Sequence, residues 1–444
     1  MPPPYRVLCD LWRYIPMKLL VVGGGGREHA IIKKLKENPS ITQIYALPGN
    51  GGIARDATCV NIAATDLDGI VAFAKENAID YAVVAPDDPL VLGCVDRLNE
   101  IGIPCFGPKA NAAIIEGSKA FSKDLMKRYR IPTARYETFS DLSAALDYVN
   151  SQVAPLVVKA DGLALGKGVL ICQTREEAVE AVTDMMAGGK FGKSGSVVVI
   201  EEFLEGPEVS VLAFTDGKTV KPMVSSMDHK RAGDNDTGLN TGGMGTVAPN
   251  PYYTDTISEQ CMEEIFLPTI QAMANDGRPF TGCLYFGLML TKDGPKVIEY
   301  NCRFGDPETQ VVLPLLQSDL LTIMQATTNG TLAETEVKFA DGAAACVILA
   351  SGGYPVAYEK GKVITGLTGG QLAGAQDVTV YHSGTAVTGD ALTTAGGRVL
   401  GVTGTAATLP EALNKAYAAA GQIAFEGLHK RNDIGARALK ALNG

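Results

Sequence analysis

The chain has 444 residues, of which 46% are hydrophobic and 20% are charged, as is usual for folded globular proteins. Its net charge of −10 excludes strong non-specific binding to nucleic acid, because that affinity comes mainly from basic side chains that neutralise phosphates. Since no apolar run reaches the roughly 18 residues that a spanning helix needs, the sequence also predicts no membrane partner. The length is sufficient for about two to four domains.

Cysteine and histidine usage indicates a reducing compartment and no zinc site. Nine cysteines are scattered between Cys9 and Cys346 without a C-x-x-C pair, which is typical of free thiols in a cytoplasmic protein. The four histidines are isolated from one another and from any cysteine pair, whereas a zinc site needs its ligands close together. The sequence therefore predicts a cytoplasmic location.

The first sixteen residues are predicted to be an extension that is not part of the fold. The segment MPPPYRVLCDLWRYIP contains the only tryptophan and lacks the apolar core of a secretory signal. An upstream extension or a misplaced start at Met1 is the preferred interpretation. A short organelle-targeting peptide is the alternative, although Arg6 and Arg13 are its only basic residues.

From Met17 onward, strand-like and helix-like segments alternate. One helix is predicted after Gly26 and another at Asp66–Asn77. Strands that alternate with helices indicate a parallel sheet with right-handed crossovers, so residues 17–118 are predicted to form a Rossmann-like domain. The predicted strands are Lys18–Val22, Ile41–Ala46, Tyr81–Ala85 and Ile103–Phe106.

Residues 119–331 are predicted to form an α+β domain with mostly antiparallel pairing. Turn residues at Asp216–Lys218 and Asp293–Gly294 join adjacent apolar runs, which indicates two hairpins. A small mobile lobe is predicted at about 135–205, with strands Arg135–Phe139, Leu156–Ala160, Gly168–Cys172 and Val197–Phe203 and helices Leu142–Asn150 and Arg175–Met186. The other predicted elements are the strands Val209–Thr215, Thr219–Val224, Gly282–Leu290 and Lys296–Asn301 and the helix Ile257–Ala274.

Residues 332–444 are glycine-rich with short strands, and they are predicted to form a small β-rich C-terminal domain. The predicted strands are Ala343–Ala350, Lys362–Gly366, Val378–His382 and Arg398–Thr403, followed by the helix Leu409–Gly421. The whole chain is thus predicted to be a multidomain protein of the α/β and α+β classes. Its parts are a Rossmann-like N-terminal domain, a two-lobed centre and the small C-terminal domain.

Two glycine-rich turns follow the first two predicted strands. The run Gly23–Gly26 opens a helix, so its backbone N–H groups can receive a phosphate with help from the helix dipole. It does not match the dinucleotide pattern G-x-G-x-x-G, because Glu28 stands where the last glycine belongs. The second turn, Pro48–Gly52, is expected at the same carboxyl edge of the sheet. Together they indicate a phosphorylated ligand, and a plain tight turn is the alternative.

Two further segments are typical of nucleotide binding. Lys159 ends a predicted strand and precedes a glycine loop that reaches Gly168, so the lysine can contact a phosphate while the loop closes over others. This is not a Walker loop, since no G-x-x-x-x-G-K-[ST] match exists, and an ordinary turn is the alternative. The acidic segment Glu201–Glu208 is interpreted as an adenine-binding and ribose-binding segment, or else as a solvated face.

The segment EYNCRFGDPE provides a candidate metal site. Residues i and i+2 of a strand lie on the same face, so Glu299 and Asn301 present two oxygen ligands together. Oxygen ligands suit Mg²⁺, which leaves its other positions to phosphates and water. Arg303 continues that face, and its fork can bind a carboxylate or a developing phosphoryl charge. A surface ion-pair cluster is the alternative.

Taken together, the motifs resemble the phosphoribosylamine–glycine ligase family of the ATP-grasp superfamily, from about Met17 to the C-terminus. The motifs that carry the resemblance are GGGGREHA, PGNGG, EGSKAFSK, KADGLALGKGV, VVIEEFLEGPEVS, DHKR, NTGGMG, YFGLML, EYNCRFGDPE and FEGLHKRNDIGARA. The resemblance implies a two-lobed ATP-grasp core and a reaction that activates glycine as glycyl phosphate for attack by 5-phosphoribosylamine. ATP is then a co-substrate and Mg²⁺ or Mn²⁺ the cofactor, in a monomer or weak homodimer.

The resemblance also implies roles for individual residues. ATP contacts are implied for Lys119, Lys159, Gly166, Lys167, Glu201, Glu202, Phe203, Leu204 and Glu208. Metal ligation is implied for Glu299 and Asn301, and catalysis for Arg303, Lys159 and Asp306. Glycine is expected near Arg303, Gly305 and Asp306, and the amino-sugar near Gly25, Gly26, Arg27, Glu28, Asn50, Gly51, Asp87, Asp228, His229 and Lys230.

The sequence departs from the family pattern at two places. Asp87 replaces the glutamate of G-P-E-x-P-L, which shortens a carboxylate that the family places near the amino-sugar. Thr246 and Val247 follow NTGGMG, where the family usually has an aromatic residue.

Three other functions are compatible with parts of the pattern. Another ATP-grasp enzyme, such as a biotin-dependent or purine carboxylase, would hydrolyse ATP with bicarbonate. An oxidoreductase would use the Gly23–Gly26 turn for nicotinamide, and a regulatory protein would bind ATP without catalysis.

Overall fold

The computed structural model describes residues 16–163, 168–188 and 192–443. The predicted N-terminal extension therefore lies almost entirely outside the described residues. Within the described ranges, no helix combines the length and the apolar character needed to cross a membrane.

The N-terminal domain is built on a parallel sheet, as predicted, with strand order β3-β2-β1-β4-β5, in which the short strand β3 was not predicted. Residues Leu19–Val22 are fully buried, because helices cover both faces of a parallel sheet. The strands are β1 (Met17–Gly23), β2 (Ile41–Pro48), β3 (Thr58–Cys59), β4 (Tyr81–Val84) and β5 (Cys105–Phe106). The helices are α1 (Gly26–Leu35), α2 (Leu67–Glu76), α3 (Asp87–Val91), α4 (Cys94–Glu100), α5 (Ala110–Gly117) and α6 (Lys119–Tyr129).

The small lobe is an antiparallel sheet with strand order β6-β9-β7-β8 and two helices packed on it. Its elements are β6 (Tyr136–Phe139), α7 (Leu142–Ser151), β7 (Leu156–Ala160), β8 (Val169–Cys172), α8 (Arg175–Met186) and β9 (Val198–Glu202). Alternation of apolar residues in these strands places one face of the sheet on the helices. The predicted limits of the strands and helices agree with the observed limits within a residue or two.

The large lobe contains a second antiparallel sheet with strand order β11-β10-β16-β17. Its elements are β10 (Glu208–Asp216), β11 (Val220–Pro222), β12 (Met227–Asp228), β13 (Arg231–Gly233), β14 (Thr237–Asn240), β15 (Gly245–Ala248), α9 (Asp255–Cys261), α10 (Leu267–Asn275), β16 (Thr281–Thr291) and β17 (Gly294–Asn301). The single helix predicted at Ile257–Ala274 is interrupted by a π-helical turn at Met262–Phe266. Pro268 lacks a backbone N–H, and the wider turn accommodates its ring.

The C-terminal sheet includes two strands from the central region, β12 and β15. Its strand order is β12-β15-β18-β22-β19, and β23 pairs with β18. The remaining elements are α11 (Thr309–Val312), α12 (Leu320–Asn329), β18 (Ala343–Ser351), β19 (Val378–His382), β20 (Thr385–Thr388), β21 (Ala391–Thr394), β22 (Arg398–Ala406), α13 (Leu409–Ala420), β23 (Leu428–His429) and α14 (Ala436–Leu442). The strand predicted at Lys362–Gly366 is wrong, since only Val363 and Thr365 form isolated bridges there. The hairpin of β20 and β21 was not predicted.

Candidate active site

The two glycine turns meet at the carboxyl edge of the N-terminal sheet, because β1 and β2 run parallel. The backbone N–H of Gly49 donates to Gly23 O at 3.1 Å. The Asn50 side-chain amide donates to Gly24 O at 2.9 Å. A Cβ atom on Gly24 would collide with the carbonyl of Gly49, so the close approach of the two turns requires glycine.

The same turns contact the C-terminal domain. The Asn50 amide also donates to His382 O at 2.7 Å, and the Gly51 N–H donates to Thr385 O at 2.9 Å. Residues from β19 and β20 thus form one side of the candidate amino-sugar subsite, which the predicted residues alone did not indicate.

Arg27 and Glu28 connect the first turn to the loop after β17. The carboxylate of Glu28 accepts from Gly25 N at 2.5 Å and from Arg27 Nε at 2.6 Å. Arg27 Nη1 donates to Phe304 O at 3.2 Å. Because both side chains are buried, they hold the two loops in a fixed relation. The structure therefore brings the candidate amino-sugar and glycine residues together.

Arg303 lies at the centre of a buried polar network at the end of β17. Its Nη2 donates to Asn301 Oδ1 and to Glu116 Oε1, each at 3.0 Å. The other oxygen of Glu116 accepts from Cys302 N at 2.7 Å. A half-buried guanidinium with a fixed fork is suited to bind a second carboxylate or a phosphoryl group.

The predicted metal ligands face the cleft from alternate positions of β17. Burial acts to raise the pKa of Glu299, but Lys230, Lys159 and other cations outweigh it and lower the pKa to about 2. Its Oε1 lies 3.5 Å from Lys230 Nζ. An ionised carboxylate and an amide oxygen two residues apart fit a divalent cation that also binds phosphates.

Two predicted phosphate-binding lysines lie at the base of the small lobe. Lys159 Nζ lies 2.9 Å from Glu201 Oε1 and donates to Ile298 O at 3.0 Å, so it contacts the strand that carries Glu299. Lys119 Nζ donates to Gly162 O at 2.9 Å, and burial lowers its pKa. Gly166 and Lys167 lie outside the described residues.

The acidic segment predicted to bind adenine and ribose is divided between two environments. Glu201 is 4% exposed and pairs with Lys159 and, at 3.1 Å, with Lys123 Nζ, so the solvated-face interpretation is wrong for this residue. Glu202 accepts from Arg135 N and Nε at 2.9 and 2.7 Å. Phe203 and Leu204 follow the end of β9 and are half-buried, and Glu208 begins β10 with its Oε2 3.7 Å from Lys230 Nζ.

Asp87, the first departure from the family pattern, begins α3 and faces the arginines of the cleft. Burial acts to raise the pKa of Asp87, but Arg303 and Arg27 outweigh it and hold the pKa below its usual value. The shorter side chain is therefore ionised and electrostatically coupled to Arg303.

The residues of the DHKR segment, Asp228 to Arg231, do not all face the cleft. Asp228 accepts from His229 N at 2.7 Å and from Thr246 Oγ1 at 3.4 Å, so the second departure gives this carboxylate a hydroxyl donor. Burial and the nearby Glu308 raise the pKa of Asp228 well above its usual value. Both ring nitrogens of His229 bond to backbone atoms, Gly245 O and Gly435 N. Asp228 and Lys230 are thus brought to the cleft, whereas the His229 ring is engaged with the backbone.

Several residues of the network were not predicted as site residues. Glu116 and Lys123 lie within EGSKAFSK, and their spacing along helices α5 and α6 gave no indication of their partners. Arg398 contacts the backbone of Asp306 and Gly242 across 92 and 156 positions of sequence. Gln310 donates to Asp306 Oδ1 at 2.8 Å. Such long-range contacts have no local sequence signal.

Replacing Glu116 with glutamine is expected to lower kcat/KM for the carboxylate substrate about tenfold while KM for ATP stays unchanged. The amide keeps the shape but loses the charge that orients Arg303, and a hydrogen bond to a charged group contributes about 1.5 kcal/mol. Steady-state kinetics with each substrate varied in turn measures the effect. Glu137→Gln on the exposed face of β6 is the control, and an equal effect of both variants would contradict the assignment.

Comparison with known proteins places the three domains in one family. Residues 17–116 match the phosphoribosylglycinamide synthetase N domain, residues 117–309 match the ATP-grasp (A) domain of the same family, and residues 344–437 match its C domain. The matched segments cover most of the chain in the order in which the domains are observed.

Individual relatives agree with the family match. The chain is 51% identical over 426 residues to phosphoribosylamine–glycine ligase of Vibrio vulnificus strain YJ016, covering 95% of this chain and 99% of that protein. The crystal structure of phosphoribosylamine–glycine ligase from Thermotoga maritima superposes with a TM-score of 0.83 at 35% identity, covering 94% of this chain and all of that one (100%).

A more distant structure shares the fold alone. The biotin carboxylase domain of Hydrogenobacter thermophilus 2-oxoglutarate carboxylase, solved with MgADP and bicarbonate, superposes with a TM-score of 0.71 at 18% identity, covering 93% of this chain and 91% of that one. Its likeness confirms the two-lobed ATP-grasp architecture. On the three matching domains and these relatives, the chain belongs to the phosphoribosylglycinamide synthetase family of ATP-grasp ligases, whose curated relatives are named phosphoribosylamine–glycine ligase.

Proposed function

We propose that the chain ligates glycine to 5-phosphoribosylamine, with ATP cleaved to ADP and phosphate, to give glycinamide ribonucleotide in purine biosynthesis. The observation that carries the proposal is the position of Arg303. It lies beside Asn301 and Glu116, and the loop that follows it bonds to Arg27 at the glycine turns. Arg303 is therefore proposed to bind the glycine carboxylate between the proposed nucleotide and amino-sugar ends of one cleft.

The first step is phosphoryl transfer to the glycine carboxylate. Lys119 and Lys159 bind the ATP phosphates, and Arg303 orients the carboxylate and neutralises charge as its oxygen attacks the γ-phosphorus. The bond from that phosphorus to the ADP oxygen breaks. Phosphoryl transfer depends on positioning and electrostatic stabilisation, which these three cations supply without a covalent enzyme intermediate.

Glu299 and Asn301 are the residues that would hold a divalent cation, Mg²⁺ or Mn²⁺. When bound, the cation supplies charge neutralisation on the phosphates of ATP. Glu202 and Glu208, with Phe203 and Leu204, are proposed to line the adenosine site, and Glu201 is proposed to orient Lys159 and Lys123.

The second step joins the two substrates. The phosphoribosylamine nitrogen attacks the carbonyl carbon of glycyl phosphate, the carbon–oxygen bond to phosphate breaks, and the nitrogen loses a proton. Gly25, Gly26, Asn50 and Gly51 are proposed to bind the ribose phosphate, with Asp87, Asp228 and Lys230 beside the sugar. Gly305 and Asp306 are proposed to complete the glycine subsite, and the Gly162–Gly168 loop to exclude water.

The proposal extends to organisation and location. The domain limits are proposed at residues 17–118, 119–331 and 332–444, and the protein is proposed to act as a monomer or weak homodimer in the cytoplasm. The free cysteines among the described residues, such as buried Cys283 and Cys346, are consistent with a reducing compartment.

Release of ADP from Mg-ATP tests the proposed function. We expect ADP only when glycine and freshly generated phosphoribosylamine are both present, because the acyl phosphate is protected until the amine attacks. Release stimulated by bicarbonate without glycine would instead support a carboxylase. No ADP from a folded protein under any combination would contradict the proposal.

A further inference from the structure

Arg398 connects the C-terminal domain to the candidate glycine loop. It begins β22, and its Nη1 donates to the carbonyl oxygens of Asp306 at 2.7 Å and Gly242 at 2.6 Å. Its Nη2 lies 3.4 Å from Asp306 Oδ2, and the side chain is 19% exposed. One guanidinium therefore joins three separate segments of the chain at the wall of the cleft.

The carboxylate of Asp306 receives donors from three different elements. Oδ1 accepts from Gln310 Nε2 in α11 at 2.8 Å. Oδ2 accepts from Arg27 N in α1 at 3.4 Å and pairs with Arg398 of β22. Because the donors come from separate domains, the orientation of this carboxylate depends on how the C-terminal domain is seated.

The second contact of Arg398 fixes the NTGGMG loop. A Cβ atom on Gly243, which has φ of +114°, would lie 2.7 Å from Asp228 Oδ1 and 2.5 Å from Pro307 Cδ. The backbone at this glycine thus packs between Asp228 and the residue after Asp306. By holding Gly242 O and Asp306 O together, Arg398 sets the spacing between the two carboxylate-bearing segments.

We propose that Arg398 is a positioning residue for the ligation, acting through Asp306 and Gly242 to fix the subsite where glycine and the amine meet. The inference rests on the proposed function and deepens it, since it gives the C-terminal domain a direct part in that subsite. Arg398 contacts no residue of the adenosine site among its observed hydrogen bonds and ion pairs in the described structure, so ATP binding does not depend on it.

The charges around Asp306 give this role a measurable signature. The titratable groups that face it are Arg27 of α1, Arg398 of β22, Cys346 of β18 and Glu308 of its own loop. Burial acts to raise the pKa of Asp306, but Arg398 and then Arg27 outweigh it and hold the pKa below its usual value. Without the charge of Arg398 the Asp306 carboxylate protonates at higher pH, so the acidic limb of the pH–rate profile shifts to higher pH.

Arg398→Met is expected to lower kcat/KM for glycine and for phosphoribosylamine about 100-fold, because small displacements of reacting groups have effects of that order. KM for ATP stays unchanged, and the acidic limb of kcat/KM shifts to higher pH. Arg398→Lys keeps the positive charge but not the guanidinium fork. Its acidic limb of kcat/KM therefore stays at the pH of the unmodified protein, and its decrease in kcat/KM is smaller than that of Arg398→Met. Because Arg398 acts in part through the Asp306 carboxylate, the combined loss in the double variant of Arg398→Met with Asp306→Asn is smaller than the product of the two single losses.

Lys415→Met is the matched control. Lys415 also binds a carboxylate, Asp377 at 2.7 Å, and a carbonyl of β22, Thr405 O at 3.1 Å, but it contacts none of the cleft residues. An unshifted limb and unchanged kcat/KM in Arg398→Met, or an equal loss in Lys415→Met, would overturn the inference. Additive losses in the double variant would also overturn it, and Arg398→Gln, which also removes the charge, provides the pH test if the methionine variant does not fold. Absence of ADP formation by the unmodified protein would overturn the proposed function itself.

Discussion

Replacing Glu299 with alanine is expected to lower ADP formation on the order of 10³-fold at ordinary magnesium concentration. The carboxylate is ionised, because Lys230 and Lys159 lower its pKa to about 2 against the effect of burial, and it is one of the two oxygen ligands proposed on its strand. Without this carboxylate the cation would no longer be held where it neutralises the ATP phosphates. Its neutralisation of the phosphates contributes several kcal/mol of transition-state stabilisation. Coupled measurement of ADP in the presence of both substrates checks the result.

Two further variants make the test of Glu299 specific. Glu299→Gln keeps the side-chain shape and is expected to weaken Mn²⁺ binding, which electron paramagnetic resonance measures without turnover. Glu137→Ala removes an exposed carboxylate from β6 and is expected to change neither quantity. Near-normal turnover of Glu299→Ala at low magnesium would show that the metal is held elsewhere.

Replacing Arg303 with methionine is expected to reduce turnover about 10³-fold, as is typical when an arginine that stabilises a phosphoryl transition state is removed. The same change leaves Glu116 buried without its cation. Removal of one partner from a buried pair destabilises a protein by about 3 kcal/mol. Chemical denaturation and steady-state kinetics therefore measure two separate consequences of one substitution.

The double variant Arg303→Met with Glu116→Gln separates these consequences. It removes the unpaired charge, so stability is expected to recover while turnover stays low. Arg128→Lys is the control for arginine geometry, because Arg128 makes a bidentate pair with Asp276 on the surface at 2.9 and 2.6 Å. Recovery of turnover in the double variant would show that Arg303 acts through stability alone.

The spacing of apolar residues along the sequence predicted helices and strands well where an element has a continuous buried face or run. Arg175–Met186 and Leu156–Ala160 were predicted with the observed limits, since each has a continuous buried face or run. The strand predicted at Lys362–Gly366 was wrong because the segment forms only two isolated bridges, at Val363 and Thr365. The C-terminal sheet was predicted incompletely, since its strand β15 comes from residues that precede β18 by almost 100 positions (Ala248 against Ala343).

The candidate site could be predicted only where its residues share a strand or a turn. Glu299 and Asn301 follow from strand geometry, and the two glycine turns follow from parallel pairing. Glu116 and Arg398 reach the same cleft from other elements through contacts between distant residues. Burial of the His229 ring against Gly245 and Gly435 likewise depends on the C-terminal segment, so no local pattern could reveal it.

Transfer of oxygen from glycine to phosphate tests the central claim most directly. Glycine labelled with ¹⁸O in its carboxyl group is incubated with the protein, Mg-ATP and phosphoribosylamine, and the released phosphate is analysed by mass spectrometry. Activation through glycyl phosphate predicts that an ¹⁸O atom of the carboxyl group appears in the phosphate while the other remains in the amide product. Amide product formed together with unlabelled phosphate would contradict carboxylate activation by phosphoryl transfer in this cleft.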